Sequence, residues 1–435
     1  MNNDPLSHGL WEATAPSLSP GTPLAKEIVA DAVIVGGGFT GCSAAFHLAA
    51  AGRAPVVLEA EDIGFGGAGR NVGLVNAGMW VMPDDLVASL AAPYGERLVS
   101  QLGEAPRLVF DLIERLGIDC EAVHRGTLHC AVGRKGHGDI TERARQWLAR
   151  GADVRLLDAR EAAHFTGSHA YAGALLDRRA GTIQPLAYVR GLADHAARGG
   201  ARIHTRSPVI ACEDLGSAWR ISTPAGQVVA PWVIFATDAY SRGACADIRA
   251  EQVMLPYFQL ATRSLSLELA ATILPGRQGA WDTRSILSSF RLDAHGRLVF
   301  GSVGALRGLG KSIHADWGQR EIARLFPQLA KVELEHRWYG RIGMTGDAVP
   351  RLHLHGRNMV SVSGYNGRGI APGTTFGRDL ARLALGEIGL EDFSLPLSDL
   401  RAAPFGGCRS AFYEAGAQLA HFTGSRFHQP VHRGS

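Results

Sequence analysis

The chain carries VIVGGGFTG at residues 33–41, and the reading of that stretch decides the fold. Ala32–Val35 is a short apolar run that suits a buried parallel strand. Gly36-Gly37-Gly38-Phe39-Thr40-Gly41 fits G-x-G-x-x-G. TGCSAAFHLAAAG then reads as a helix with Cys42, Ala45, Phe46 and Ala49 on one face and Gly52 as its stop. Pro55–Leu58 gives a second strand that ends at Glu59 and Ala60. Gly36 permits the sharp strand-to-helix turn, Gly38 lets the backbone approach a pyrophosphate, and Gly41 lets the helix lie close to the sheet. The helix start offers free N–H groups and partial positive charge to phosphates, and Glu59 stands where an acid holds a ribose diol. A lone glycine motif carries little weight, and its bland explanation is a Gly-rich turn in an unrelated α/β domain. Strand, turn, helix, strand and acid together predict a dinucleotide site.

A second glycine-rich stretch, EDIGFGGAGRNVG, follows at 61–73. A nicotinamide dinucleotide needs one such loop for its pyrophosphate. FAD is longer, and a second loop of small residues just after the acid lets the chain run beside the ribityl and isoalloxazine. Gly64, Gly66, Gly67 and Gly69 leave room for backbone contact, Arg70 and Asn71 offer charge and hydrogen bonds near phosphate and flavin, and Ala68, Val72 and Gly73 of the same loop are expected beside the cofactor. Position therefore favours FAD over NAD(P), although an NAD(P)-dependent dehydrogenase stays as the rival reading.

With both loops in hand, the chain resembles the amine and amino-acid oxidoreductases of the D-amino acid oxidase superfamily, and within it the gamma-glutamylputrescine oxidase-like branch. The resemblance runs from Leu10-Trp11-Glu12-Ala13-Thr14, similar to a W-x-A-T arm, to about Gly386. Ala68 and Val72 replace the Ser and Gly of the branch's second loop. Gly181, Ile183 and Pro185 match a G-x-[IL]-x-P signature, and the strand that follows implies an adenine contact at Val209. WVIFATDAYS (232–241) places Ala236 and Thr237 at a strand end near the ligand, with Asp238 where the family carries Asn. RWYGRIGMTGDAVP (337–350) resembles a segment beside the flavin and implies a contact at Gly340. GYNGRGIAPGTT (364–375) resembles the C-terminal flavin motif through Gly364, Tyr365, Asn366, Gly367, Arg368 and Gly369, and continues through Ile370 into a helix whose start faces the N1/C2=O edge.

The family implies an α/β fold with an α+β substrate lobe, a Rossmann-like FAD-binding domain interleaved with a mixed-sheet substrate domain. The expected division is an N-terminal arm at 1–27, a discontinuous FAD domain at 28–85, 150–245 and 340–390, a substrate domain at 86–149 and 246–339, and a C-terminal extension at 391–435. The implied reaction is FAD-dependent oxidation of a C–N bond to an imine by hydride transfer to flavin N5, followed by hydrolysis. Oxygen or another acceptor reoxidises the flavin. A flavoprotein subunit with only a binding role is a non-enzymatic rival. Such chemistry needs no dedicated strong base. Substrates of the superfamily usually carry a carboxylate, so Arg291, on a predicted roof strand, and Arg341 are its expected partners. Tyr257 and Trp80 are expected pocket aromatics. The plain alternative for each Arg is a surface residue, and for each aromatic a core residue. No Cys lies between 246 and 407 and no His within 61–73, which predicts non-covalent FAD.

Bulk properties exclude other classes. Forty-four basic and 41 acidic residues give a formal charge of +3, with no nucleic-acid signal. No apolar run is long enough to span a bilayer, and the N-terminus lacks the pattern of a secretory signal. Six cysteines form no CxxC, which suits reduced thiols in a cytoplasmic protein. ALRGLGKS (305–312) misses a P-loop because Ala305 stands where Gly is needed. His421, His428, His432 and the HLH at 353–355 lack metal-ligand spacing, and no metal is expected.

Overall fold

A computed structural model describes residues 7–18 and 21–424. The first glycine loop lies at the heart of a six-stranded sheet ordered Arg351–Gly356, Met359–Ser363, Val233–Phe235, Val33–Val35, Val56–Leu58 and Arg202–His204. All neighbours run parallel except the first pair, which is antiparallel. Val33–Val35, Val56–Leu58 and Val233–Phe235 are buried throughout, as a sheet covered on both faces requires.

The helix after the first loop, Phe39–Ala50, differs from the single-faced helix expected. Nearly every residue is buried, Gly41, Ser43 and Ala44 as well as the expected four. The reason is that helices Pro185–Arg198 and Ile370–Ala384 both pack on it. Gly377 lets the latter close in: a Cβ there would meet Ser43 Cβ at 2.7 Å.

The second layer is an eight-stranded sheet ordered Leu334–Met344, Val253–Thr262, Leu298–Val303, Ser288–Leu292, Gly279–Asp282, Thr127–Ala131, Gly173–Asp177 and Val154–Leu157. The turn expected at Ala294-His295-Gly296 joins two of its antiparallel strands, and Gly296 has φ +72°. Two strands, Val154–Leu157 and Gly173–Asp177, come from the stretch 150–245 expected in the cofactor domain, so the chain crosses between layers inside that stretch. Val209 follows strand Arg202–His204 in an irregular connector rather than a strand.

Register fixes which side chains share a face. Trp338, Gln259, Gly301, Ser289, Trp281 and His129 form one row across six strands. Tyr257 lies two residues from Gln259 and points the same way. The opposite face carries Phe258, Leu260, Phe290 and Phe300, packed beneath helix Gly310–Leu325 through Trp317 and Ile322. This heavy apolar backing holds the row of polar and aromatic side chains rigid against the first sheet.

Candidate active site

One cavity of about 600 Å³ runs between the two large sheets and is lined by residues of all three glycine-rich stretches. The first loop contributes Gly36, Gly38, Phe39 and Thr40, with Glu59 and Ala60 from the next strand end. Glu59 Oε2 accepts from Gly37 N at 2.6 Å and Oε1 from Glu61 N at 2.9 Å, so two backbone donors aim the carboxylate. Burial raises its pKa, and those donors offset part of the rise. Gly41 does not line the cavity; a Cβ there would overlap the Gly36 carbonyl oxygen, so it shapes the turn from behind.

The second loop lines the cavity with Gly67, Ala68, Arg70, Asn71 and Val72. Arg70 and Asn71 were expected to offer polar groups to the cofactor, yet much of their hydrogen bonding holds the loop. Arg70 Nε donates to Phe65 O at 2.8 Å, and its Nη1 donates to Ser7 O and Tyr339 O at 3.2 and 3.1 Å. Asn71 Nδ2 donates to Gly67 O and Ala68 O at 2.9 and 3.0 Å, while its Oδ1 accepts from Gly73 N at 2.8 Å. Gly69 and Gly73 lie behind the lining; a Cβ on Gly73 would overlap Ile183 O. The N-terminal arm completes the support. Trp11, fully buried, donates from Nε1 to Asn71 O at 2.8 Å and stacks edge-on against Trp338, whose own Nε1 reaches Arg70 O at 3.1 Å.

The third stretch adds Tyr365, Asn366, Gly367, Arg368, Gly369 and Ile370. Tyr365 Oη and Thr40 Oγ1 lie 2.6 Å apart and tie this stretch to the first loop. Asn366 Oδ1 accepts from Thr345 N at 2.9 Å. Gly364 does not line the cavity; its N donates to Asp238 Oδ1 at 2.7 Å. Val209, Ala236, Thr237 and Gly340 all line it.

The expected substrate residues divide. Tyr257 lines the cavity with its hydroxyl 2.8 Å from Ser289 Oγ, and burial raises its pKa, so it stays neutral. Trp80 lines it as well. Arg291 does not: it is fully buried, donates to Ile183 O and Leu292 O, faces Glu121 at 3.5 Å and sits 5.5 Å from the Trp11 ring. It lies two residues beyond Ser289 on the same strand, past the cavity and against the arm, so it has no access to a ligand there. Arg341 lines the cavity at its exposed rim, with its guanidinium 5.9 Å from the Tyr240 ring and its register out of phase with Tyr257. Sequence reading passed over Gln259, Trp281, Ser289 and Tyr240, all of which line the cavity. For the first three the only signal was strand alternation, which does not say which face meets a ligand, while Tyr240 closes the short turn Asp238–Tyr240 after strand Val233–Phe235.

The other expectations also find places. His421 is buried in helix Gly406–Thr423, its Nδ1 2.8 Å from His314 Nδ1, whereas His428 and His432 lie outside the described residues. Residues 305–312 span the end of the loop that joins strand Leu298–Val303 to helix Gly310–Leu325 and the first turn of that helix. Among the described residues no group of His, Cys, Asp or Glu is arranged to hold a metal ion.

A parallel sheet with a Gly-rich turn, an aimed acid and a cavity roofed by a second sheet defines a dinucleotide-dependent oxidoreductase of the two-lobed flavoenzyme type. The chain belongs to the FAD-dependent oxidoreductase family DAO, whose model matches residues 31–383. It is 32% identical over 421 residues to gamma-glutamylputrescine oxidoreductase of Escherichia coli K12, covering 93% of this chain and 96% of that protein. It is 30% identical to a probable oxidoreductase, OrdL, of Rhizobium meliloti, covering 88% and 90% of the two chains. The fold is similar to the crystal structure of glycine oxidase from Geobacillus kaustophilus, with TM-score 0.69 and 21% identity over 87% of this chain and 98% of that one.

The residues present fit FAD. An added Cβ at Gly38 or Gly67 would have no neighbour nearer than 3.9 Å, so the bare backbone there faces open cavity rather than protein. Two backbone donors orient Glu59 as a diol acceptor requires.

Proposed function

We propose that the protein binds FAD non-covalently and oxidises the C–N bond of an amine or amino acid to an imine, which then hydrolyses. The observation that carries this reading is the single cavity that joins the glycine loops and Glu59 to a rigid roof of Tyr257, Trp281, Gln259 and Ser289. Bound FAD would supply the hydride acceptor at N5, with oxygen or another acceptor taking the electrons onward. Gly36, Gly38 and Thr40 would hold the diphosphate, Glu59 a ribose and Val209 the adenine side. Gly67–Val72, Gly340 and Tyr365–Ile370 would enclose the flavin.

The roof does the remaining work. Trp80 and Trp281 meet edge-to-face with centroids 4.9 Å apart and exclude water from one wall. The carboxylates that line the cavity, Glu59, Glu61 and Asp238, all belong to the nucleotide side, and none comes from the roof strands. The roof thus presents no anionic base, which suits a substrate that arrives with a neutral nitrogen and needs orientation rather than deprotonation. No helix among the described residues is long and apolar enough to cross a membrane. We take the enzyme to be cytoplasmic, a reading that its six unpaired cysteines support.

The test is an anaerobic screen of FAD-loaded protein with N-methyl amino acids, D-amino acids and gamma-glutamyl polyamines. The E. coli relative makes gamma-glutamylputrescine the first compound to try. Bleaching of the flavin band, with an aldehyde or keto product, is the expected result. A flavin that stays oxidised throughout favours a binding-only flavoprotein, and a colourless chain that binds NAD(P) favours the dehydrogenase reading.

A further inference from the structure

A small pocket of about 20 Å³ shares Trp281 and Arg368 with the main cavity, and it collects buried positive charge. Arg143, on helix Gly133–Ala149, and Arg368, just before helix Ile370–Ala384, both line it, and they are 8% and 7% exposed. Arg143 spends Nη1 and Nη2 on Met79 O and Trp80 O, at 3.3 and 2.6 Å. Arg368 spends Nη1 on Ala77 O at 2.8 Å, and its guanidinium carbon lies 5.0 Å from the Trp80 ring and 4.9 Å from the Trp281 ring. The Nε of each is buried without a partner. So is Nδ1 of His129, whose ring stacks on Trp281 with centroids 3.4 Å apart. Three unpartnered polar atoms, from three separate segments, thus belong to the lining of one pocket.

The protein does not balance that charge. Neither guanidinium forms an ion pair among the described residues, and Asp85 and Asp139 act on Arg143 only from beyond ion-pair reach. Asp177 is the carboxylate in the lining, and Arg179 grips both its oxygens at 2.9 and 2.7 Å. Three guanidiniums against one carboxylate leave two cations unmatched. Burial pushes Arg368 down to about 9 and Arg143 down to about 10, so both still carry charge at neutral pH. Burial also holds His129 well below its usual range, so the neutral ring has an N–H to give. Buried cations without an anion are costly, and a water there satisfies a donor without neutralising charge.

Space decides the kind of anion. The pocket has room for one water-sized particle, too little for an organic acid or a phosphate. We propose that it binds a single monatomic anion, chloride, held by Arg143, Arg368 and His129. The site is distinct from the one that takes the cofactor and the substrate, since neither Arg143 nor His129 lines the main cavity. The anion neutralises the buried guanidiniums and steadies Trp281 and Arg368, which are walls of both spaces.

FAD-loaded protein is melted while chloride replaces gluconate at constant ionic strength, and crystals of the same protein are soaked in bromide. Tm should rise along a saturating curve, by on the order of 3 °C once chloride reaches about 100 times its Kd. Bromide should give an anomalous peak within hydrogen-bond reach of Arg143 Nε and Arg368 Nε. Arg143→Met removes one of the cations and should weaken chloride by on the order of 10-fold or more, read against the variant's own Tm in gluconate. A wild-type Tm that does not respond to chloride overturns the proposal, as does an Arg143→Met protein with the full response. Bromide peaks confined to the surface, adventitious ions only, overturn it as well, and that map needs no variant to fold. None of these readouts involves amine oxidation, so the proposed reaction and the anion site stand or fall separately.

Discussion

Replacing Trp11 with Ala tests whether the N-terminal arm holds the second glycine loop in shape. Trp11 is fully buried, meets Trp338 with ring centroids 5.6 Å apart, and bonds Asn71 O, which belongs to the loop that lines the cavity. Truncating a buried Trp to Ala costs roughly 3–5 kcal/mol. For 435 residues, an unfolding entropy of about 2.1 cal/mol/K per residue gives about 0.9 kcal/mol/K, so Tm should fall by roughly 3–6 °C. If the arm docks only on the ordered loop, the loss is also felt by the cofactor. Each 1.4 kcal/mol is tenfold, so a coupling of about 3 kcal/mol weakens FAD by on the order of 100-fold. Trp11→Phe keeps most of the packing and loses one hydrogen bond, about 1 kcal/mol, and should weaken FAD by no more than about tenfold. Fluorescence titration of apoprotein with FAD reads both variants. A Trp11→Ala protein that melts lower yet binds FAD as tightly as the wild type refutes the coupling and reduces the arm to a passive strap.

Three further outcomes follow from the geometry. Tyr365→Phe removes the 2.6 Å contact with Thr40 and should weaken FAD by about three- to tenfold in the same titration, with a normal fold by circular dichroism; unchanged affinity would show that the first and third stretches are not coupled through it. Gly377→Ala drives a Cβ into Thr40 O and the Ser43 side chain and should cost about 1–3 kcal/mol, seen as a lower urea midpoint, whereas an unmoved midpoint would contradict the close helix packing. Burial pushes the Asp282 carboxyl up to about 6, so the folded chain holds this proton more tightly than the unfolded one, and its contribution to stability is present below about pH 4 and lost as pH rises to about 6. Asp282→Asn should therefore gain on the wild type across that window by at most about 3 kcal/mol, and parallel pH–stability curves would refute the shift.

The first loop was legible because its glycines encode backbone geometry: the Cβ that Gly41 lacks would overlap Gly36 O, and no other residue fits. Glu59 was legible from its place at a strand end. The roof was legible as strands but not as a site. Arg291 stands on the expected strand, yet two residues along from Ser289 it meets Ile183 and Trp11 instead of the cavity. Periodicity gives the face of a strand and is silent about where along that face a cavity stops. Trp281 reaches Arg368 only through the pairing of Gly279–Asp282 with Thr127–Ala131, a parallel contact between segments about 150 residues apart that no local pattern reports.

The central claim is that one cavity holds FAD without a covalent bond, and acid precipitation after reconstitution tests it most directly. Protein incubated with FAD, freed of excess and precipitated should release close to one FAD per chain into a yellow supernatant. A protein that stays colourless after incubation, or a yellow pellet beneath a clear supernatant, would contradict it.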